Sequence, residues 1–186
     1  MKKIMLASAL LCGSALAMTG CQSTQGQLKT GNPLNQPALK SVIKTTNSSN
    51  QEVGQVYLRP VDGGVQVYGK ISQLPAGETV AIHIHETGSC DMMGKAAGGH
   101  FNPDGYPHSN PDDMMGHAGD LPNITANEDG VATINYVNKK ISAAKAGKYS
   151  VNRRAVIVHA GADDYVSQPS GASGDRIACG IITEVM

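Results

Sequence analysis

The chain has 186 residues, and its 15 lysines and arginines are balanced by 15 aspartates and glutamates. This length suits a single domain with a substantial core. The even charge balance gives no sign of a nucleic-acid partner, which an excess of basic residues would attract. With 22 glycines, no Trp and one Phe, the composition favours a β protein with tight turns and long loops over a helical bundle.

The N-terminus is typical of an export signal. Lys2 and Lys3 precede an uncharged, largely apolar run at 4–17. That run is shorter than the about 20 apolar residues of a membrane-spanning helix. The next four residues, MTGC at 18–21, resemble a bacterial lipobox with Met where Leu is common.

We therefore predict a lipoprotein-type signal peptide at residues 1–20, with Cys21 as the first mature residue and the lipidation site. The alternative is a plain secretory signal cleaved after Ala17. Residues 22–38 are polar and rich in Gln, Ser, Thr, Gly and Pro, which predicts a flexible tether. The folded domain is expected at 39–186. A lipid anchor would hold the protein in the cell envelope, on a membrane facing the periplasm or the exterior.

The four cysteines divide into two in the N-terminal segment and two in the predicted domain. Cys12 lies in the predicted signal and Cys21 is the predicted lipidation site. Cys90 and Cys179 remain in the domain. Because an exported domain folds where disulfides persist, this even pair most simply indicates one bridge.

Short β-type runs recur along the domain between turn signals. The first is predicted at 54–59, ending at Pro60, and the turn at 62–64 joins it to a second strand at 65–71 as a hairpin. Further strands are predicted at 79–85, 130–137, 155–158 and 177–183. Two long segments rich in Gly, Pro and Asp, at 87–123 and 161–175, do not read as strands. Short strands with two long functional loops predict an all-β sandwich or Greek-key barrel.

Three histidines lie on predicted strands. His83 and His85 are two residues apart, so their side chains share one face, which is either solvent-exposed or part of a metal site. His159 ends an apolar run, where a histidine is ordinarily a satisfied core residue.

The other three histidines lie in the first long loop, and a carboxylate follows them closely. His100, His108 and His117 are spaced by 8 and 9 residues, and Asp120 comes three residues later. Three nitrogen donors and one oxygen donor suit Zn²⁺, and a closed four-ligand shell would stabilise a loop without a core of its own. The alternative is a set of solvated loop histidines.

Several strings in the domain resemble the copper–zinc superoxide dismutase family, in the right order from about residue 39 to 183. They are IHIHETG at 82–88, GGHFNP at 98–103, HAGDLPN at 117–123, VHAGADD at 158–164 and DRIACG at 175–180. The resemblance implies an eight-stranded Greek-key β-barrel or sandwich.

It also implies a role for each site residue. Asp163 would be a carboxylate that links a copper-ligand histidine to a zinc-ligand histidine, and Cys90 and Cys179 would form the disulfide. Arg176 would be the cation that attracts and orients a small anion beside copper; the alternative is an ordinary surface arginine. His100 would join the two metals and act with Arg176 in catalysis. One copper and one zinc are implied per subunit: copper would be bound by His83, His85, His100 and His159, and zinc by His100, His108, His117 and Asp120.

The implied reaction is the conversion of superoxide to dioxygen and hydrogen peroxide, which in the envelope would protect against extracytoplasmic superoxide. A different function is a dismutase-like lipoprotein that buffers or delivers copper or zinc. A hydrolytic zinc enzyme ranks lower, because four protein ligands leave zinc no open position for water. A homodimer is left open, and the sequence indicates no copper donor.

Two features of the loops are not explained by the family pattern. Residues 163–175 contain no lysine, so we hypothesise that Lys95 contributes part of the attraction for an anion. Met92, Met93, Met114 and Met115 form two pairs, which we interpret as flexible gap-fillers; a role in copper loading is the alternative.

Overall fold

The computed structural model describes residues 38–185. Alternating burial along the strands shows which residues form the core. In the strand Gly64–Ile71, for example, Val65 and Val67 are buried while Gln66 and Tyr68 face outward. The nine strands of the described residues are β1 (Leu39–Thr45), β2 (Glu52–Val61), β3 (Gly64–Ile71), β4 (Thr79–Val80), β5 (Ile82–His85), β6 (Ile124–Thr125), β7 (Ala132–Asn138), β8 (Ala155–His159) and β9 (Arg176–Glu184).

Seven strands form one curled antiparallel sheet in the order β5-β8-β9-β1-β2-β3-β7, and β4 pairs with β6 in a small second sheet. The inward side chains form a single large apolar core whose members include Ile43, Leu58, Ile71 and Ile82, each fully buried. The strands that carry histidines, β5 and β8, pair directly, with His83 opposite Ile157. The sheet therefore places His83, His85 and His159 on adjacent strands.

The all-β prediction is confirmed, with differences in detail. The predicted strand at 79–85 is interrupted at Ala81 and becomes β4 and β5. Pro60 does not end β2 but lies within it, opposite Val65. No strand was predicted at β1 or β6. Because two of the nine strands have only two residues each, the eight-strand Greek-key count stays a prediction from the resemblance.

The first long loop, residues 87–123, has almost no regular structure beyond a 3₁₀ turn at Lys95–Ala97. It is seated against β5: the Phe101 amide donates to the Ile84 carbonyl at 2.8 Å, and the Ile84 amide donates to the Gly119 carbonyl at 2.9 Å. The loop approaches so closely that a Cβ on Gly119 would lie 2.1 Å from the Ile84 carbonyl oxygen. Glycine at 119 thus permits the contact that brings the loop histidines to β5.

The predicted Cys90–Cys179 disulfide is confirmed, with a Cα–Cα distance of 5.7 Å and a sequence separation of 89 residues. A closed loop of that length reduces the entropy of the unfolded chain by an amount worth roughly 4–5 kcal/mol in the chain-entropy model. The bridge ties the first long loop to β9, the strand that begins with Arg176.

The predicted signal peptide, Cys21 and residues 22–37 of the predicted tether lie outside the described residues. Across residues 38–185, the structure contains no helix with the length and apolar character needed to cross a membrane.

Candidate metal centre

All six histidine rings gather where β5, β8 and the first long loop meet. His100 is central, because its ring centroid lies 4.0 Å from that of His83 and no more than 6.3 Å from any of the other four. The side chains are buried; His83 has no exposed surface and His117, the most exposed of the six, has 7%. The strand histidines and the loop histidines therefore converge on one another and do not point apart.

Four of the histidines present nitrogen atoms to a common point. The ligand atoms of this four-histidine group all lie within 4.8 Å of one another. In each ring, one buried nitrogen has no hydrogen-bond partner. These atoms are Nδ1 of His83 and Nε2 of His85, His100 and His159.

The opposite nitrogen of each of these rings is occupied, which fixes the tautomer. Nε2 of His83 donates to the Asp163 carboxylate at 2.7 Å, and Nδ1 of His85 donates to the Gly98 carbonyl at 3.0 Å. Nδ1 of His159 donates to the Gly174 carbonyl at 3.2 Å. Because these oxygens can only accept, the unpartnered nitrogens carry lone pairs that converge in a buried space. Buried polar atoms rarely lack partners, so this arrangement fits a bound metal ion.

A second group lies on the other side of His100. His100, His108, His117 and Asp120 again place one ligand atom each within 4.8 Å of the others. The Nδ1 atoms of the three histidines lie 2.8, 3.1 and 3.5 Å from Oδ1 of Asp120. A tetrahedral zinc shell, with bonds of about 2.0–2.1 Å, has its ligand atoms about 3.3 Å apart. The spacing and the three-nitrogen, one-oxygen chemistry of this loop group therefore fit zinc.

Asp163 joins the two groups. Its carboxylate accepts from Nε2 of His83 at 2.7 Å and from Nε2 of His108 at 2.9 Å. Although burial opposes ionisation, these hydrogen bonds hold the pKa of the Asp163 carboxyl far below its usual range. Asn123 fixes this residue in turn, because its side-chain amide exchanges two hydrogen bonds with the Asp163 backbone.

Two further residues that support the site were not predicted. The Gln168 side chain makes a reciprocal pair of hydrogen bonds with the His108 backbone, at 2.8 and 2.7 Å. Gly171, with φ of 65°, lies so close that a Cβ there would be 1.7 Å from Oδ1 of Asp163. Neither residue has a spacing that distinguishes it from ordinary loop residues. The first contact depends on how the second long loop packs on the first, and the second depends on how the second loop folds back on itself.

Burial dominates the proton affinity of the four-histidine group. It lowers the pKa of His83 to about 3 and that of His159 to about 4, and it also lowers the pKa values of His85 and His100. His108 differs: burial acts against its charged form, but the hydrogen bonds to Asp120 and Asp163 outweigh burial and raise its pKa to about 9. Near neutral pH, His83, His85, His100 and His159 are therefore uncharged, the form that a metal ion requires.

Arg176 lies beside the four-histidine group at the start of β9, paired across the sheet with His159. Its guanidinium donates to the carbonyl of Gly94 and to that of Gly98, both at 2.6 Å. The Gly98 carbonyl also accepts from His85, so one backbone group links the arginine to the histidine site. Lys95 lines the same surface cavity as Arg176. The structure thus places a fixed cation next to the site and a second, exposed one at the same cavity.

Comparison with known proteins matches this geometry to one family. The model of the copper/zinc superoxide dismutase family matches residues 52–182. The chain is 36% identical over 148 residues to the Cu-Zn superoxide dismutase 1 of Aquifex aeolicus, a match that covers 77% of this chain and 88% of that protein. It is 33% identical over 187 residues to the superoxide dismutase-like protein YojM of Bacillus subtilis, with 93% of each chain covered.

Solved structures give the same result. A double mutant of a SOD-like protein from Bacillus subtilis superposes with a TM-score of 0.71 at 34% identity, covering 77% of this chain and 96% of that one. The clock protein EA4 superposes with a TM-score of 0.71 at 33% identity, covering 80% and 96%. The chain belongs to the copper/zinc superoxide dismutase family. The family and the two ligand groups together indicate metal binding consistent with copper and zinc.

Proposed function

We propose that this chain is a copper–zinc superoxide dismutase that works in the cell envelope and removes superoxide formed outside the cytoplasm. One observation carries the proposal. Four buried ring nitrogens with free lone pairs converge on one point, and His100 belongs both to this group and to the loop group. Family membership alone is weaker support, because relatives named superoxide dismutase-like also belong to it.

The overall reaction converts two superoxide anions and two protons into one dioxygen and one hydrogen peroxide. When bound, copper would accept and return one electron, and zinc would supply a fixed positive charge. The residues that would hold copper are His83, His85, His100 and His159, and those that would hold zinc are His100, His108, His117 and Asp120.

The protein groups account for substrate approach and proton supply. Two carbonyls hold the Arg176 guanidinium, so its positive charge stays fixed beside the site. It can therefore attract a small anion while the arginine side chain loses little further conformational freedom on binding. Nε2 of His100 is the atom that we assign to hold a proton between the two superoxide reactions. Because burial lowers the pKa of His100, a proton held there is readily given up to the forming peroxide. Asp163 keeps His83 and His108 in the required tautomers.

The location follows from the N-terminal sequence. We propose that residues 1–20 are removed, that Cys21 is acylated, and that residues 22–38 tether the domain at 39–186 to the membrane. Export would also place the domain in an oxidising compartment, where its disulfide persists.

The decay of superoxide after pulse radiolysis tests the catalytic proposal directly. The full-length chain loaded with copper and zinc, and the control variant Lys145→Ala at an exposed position, should both react at about 10⁸–10⁹ M⁻¹s⁻¹. The zinc-only protein and the His159→Ala variant should show only the background rate. Wild-type protein that binds copper tightly yet leaves superoxide at the background rate would contradict the proposal and favour the metal-buffering function.

Fatty-acid labelling in cells tests the membrane proposal. The wild-type chain and the control variant Cys12→Ser should incorporate a labelled fatty acid and sediment with membranes, while Cys21→Ser should do neither. Equal labelling of the two cysteine variants would show that Cys21 is not the acylation site.

A further inference from the structure

The exposed methionines do not fill gaps in the core. Met92, Met93, Met114 and Met115 are 73%, 61%, 57% and 63% exposed. A thioether contributes to packing only when apolar atoms surround it, so the gap-filling interpretation is wrong for all four. Their sulfur atoms are available to solvent and to soft metal ions.

The first pair sits in a strained turn of the disulfide loop. Met92 and Met93 have φ of 53° and 55°, and Gly94 follows with φ of 77°. For a residue with a Cβ, the left-handed conformation costs roughly 1–2 kcal/mol. The turn is held by the Gly94 amide, which donates to the Cys90 carbonyl at 3.0 Å, and by Arg176, which donates to the Gly94 carbonyl. Strain of this kind persists where the surroundings fix it, and it occurs preferentially at functional sites.

Only one of the two methionine side chains reaches the cavity that contains Arg176. Met92 lines a depression beside the disulfide, together with Cys90 and Cys179. Met93 lines the same depression and, in addition, a separate cavity of about 430 Å³, whose other residues are Lys95, Gly174, Asp175 and Arg176. The second pair lies elsewhere, since Met114 lines a third cavity with Tyr149 and other residues.

The Met93 cavity adjoins the four-histidine group through two backbone carbonyls. The Gly174 carbonyl, at the cavity wall, accepts the hydrogen bond from His159. The Gly98 carbonyl accepts from both Arg176 and His85. Met93 is therefore the one exposed methionine among the described residues that shares a cavity with Arg176, next to two of the proposed copper ligands.

The chemistry of this cavity favours one form of copper. A thioether prefers Cu(I) to harder divalent ions. The two cations Lys95 and Arg176 outnumber the one carboxylate of this cavity, Asp175, so an anionic Cu(I) complex is favoured over a free cation. We propose that Met93 is the first protein ligand of incoming Cu(I), which arrives as an anionic complex and then passes to the four-histidine group. In the exchange, the sulfur lone pair forms a bond to Cu(I), one ligand of the complex leaves with its own electron pair, and the oxidation state of copper is unchanged.

This inference rests on the proposed function, and its test measures loading instead of catalysis. Zinc-loaded, copper-free full-length protein is mixed without oxygen with the dichlorocuprate(I) anion. At set times, copper that remains outside the protein is captured by bicinchoninate and measured by absorbance. Met93→Leu should lower the loading rate about tenfold, which corresponds to about 1.4 kcal/mol in the barrier, and leave the final copper content unchanged. Met92→Leu, in the same strained turn, and Met115→Leu, in the other pair, should load at the wild-type rate.

Equal loading rates for Met93→Leu and the wild type would overturn the proposal. If Met92→Leu lowered the loading rate as much as Met93→Leu, the effect would come from the turn alone, and the proposal would also be overturned.

A second measurement uses no variant. In protein labelled with ¹³C on the methionine methyls, Ag(I) supplied as the dichloroargentate(I) anion serves as a redox-inert substitute for the anionic Cu(I) complex. The Met93 signal should shift at lower Ag(I) than the other three exposed methionines, and a simultaneous shift of all four would contradict the proposal. Copper-loaded wild-type protein that is inactive toward superoxide would refute the proposed enzyme without changing these loading results.

Discussion

Replacing Gly171 by alanine is expected to displace the carboxylate that joins the two ligand groups. The new Cβ would lie 1.7 Å from Oδ1 of Asp163 and 2.9 Å from Nε2 of His108. The first distance is far below any van der Waals contact, and the backbone at 171 is tied to neighbouring loop residues by hydrogen bonds. Asp163 must therefore move, and its hydrogen bonds to His83 and His108 are lost or lengthened.

The magnitude follows from two contributions that a control variant separates. Alanine in the left-handed conformation costs roughly 1–2 kcal/mol at Gly171 and equally at Gly77, which has φ of 75° but no atom within 4 Å of its would-be Cβ. Each hydrogen bond to a charged group is worth about 1.5–3 kcal/mol, so losing both of those made by Asp163 adds roughly 3–6 kcal/mol at Gly171 alone.

Two assays measure the difference. Urea unfolding of the metal-free protein should show the larger loss for Gly171→Ala and only the strain cost for Gly77→Ala. Binding of Co(II), a spectroscopic substitute for zinc, should weaken about 10–100-fold for Gly171→Ala, as expected when a ligand histidine loses its supporting partner. Equal stability and equal Co(II) affinity of the two variants would refute the reasoning.

Two further predictions concern charge. The metal-free protein should be most stable near pH 6.5. Below pH 6.5 the unfolded chain binds a proton at His83 that the folded protein, in which the pKa of His83 is about 3, does not bind, so stability falls as pH falls. Above pH 6.5 folded His108, with a pKa of about 9, keeps a proton that the unfolded chain loses, so this stabilisation is lost as pH rises through 9. Urea midpoints from pH 4 to 9.5 measure this, and a flat or steadily rising curve would contradict it. Lys95→Glu should slow the reaction with superoxide more at 10 mM than at 500 mM salt, whereas Lys145→Glu should not, because Lys95 shares the cavity of Arg176 and Lys145 does not. Equal slowing by Lys95→Glu at both salt concentrations would exclude a role for Lys95 in attracting superoxide.

The sequence predicted most about those residues whose type has few structural or chemical roles in proteins. Short β-type runs that follow turn signals identified β3 and β7, and motif resemblance pointed to the histidines that the structure brings together. β1 was missed, although it pairs with both β2 and β9, because its sequence LKSVIKT combines lysines with only a short alternation. Its place in the sheet is set by its neighbours on both sides and not by its own pattern.

The features that sequence did not reveal are contacts within the second long loop and between the two long loops. The contact of Gly171 with Asp163 joins residues within the second loop only after it folds back, and Gln168 reaches His108 across 60 residues. The methionine pairs were misinterpreted for a related reason. A pair of adjacent methionines carries no information about exposure, and all four of these side chains are exposed in the folded chain.

Anomalous diffraction from crystals of the protein loaded with both metals, recorded at the copper and zinc absorption edges, tests the central claim most directly. We predict one copper peak and one zinc peak on opposite sides of the His100 ring, the first contacting Nδ1 of His83 and the second contacting Oδ1 of Asp120. A single peak, or two peaks of which only one touches His100, would contradict the claim that one imidazole serves both metals.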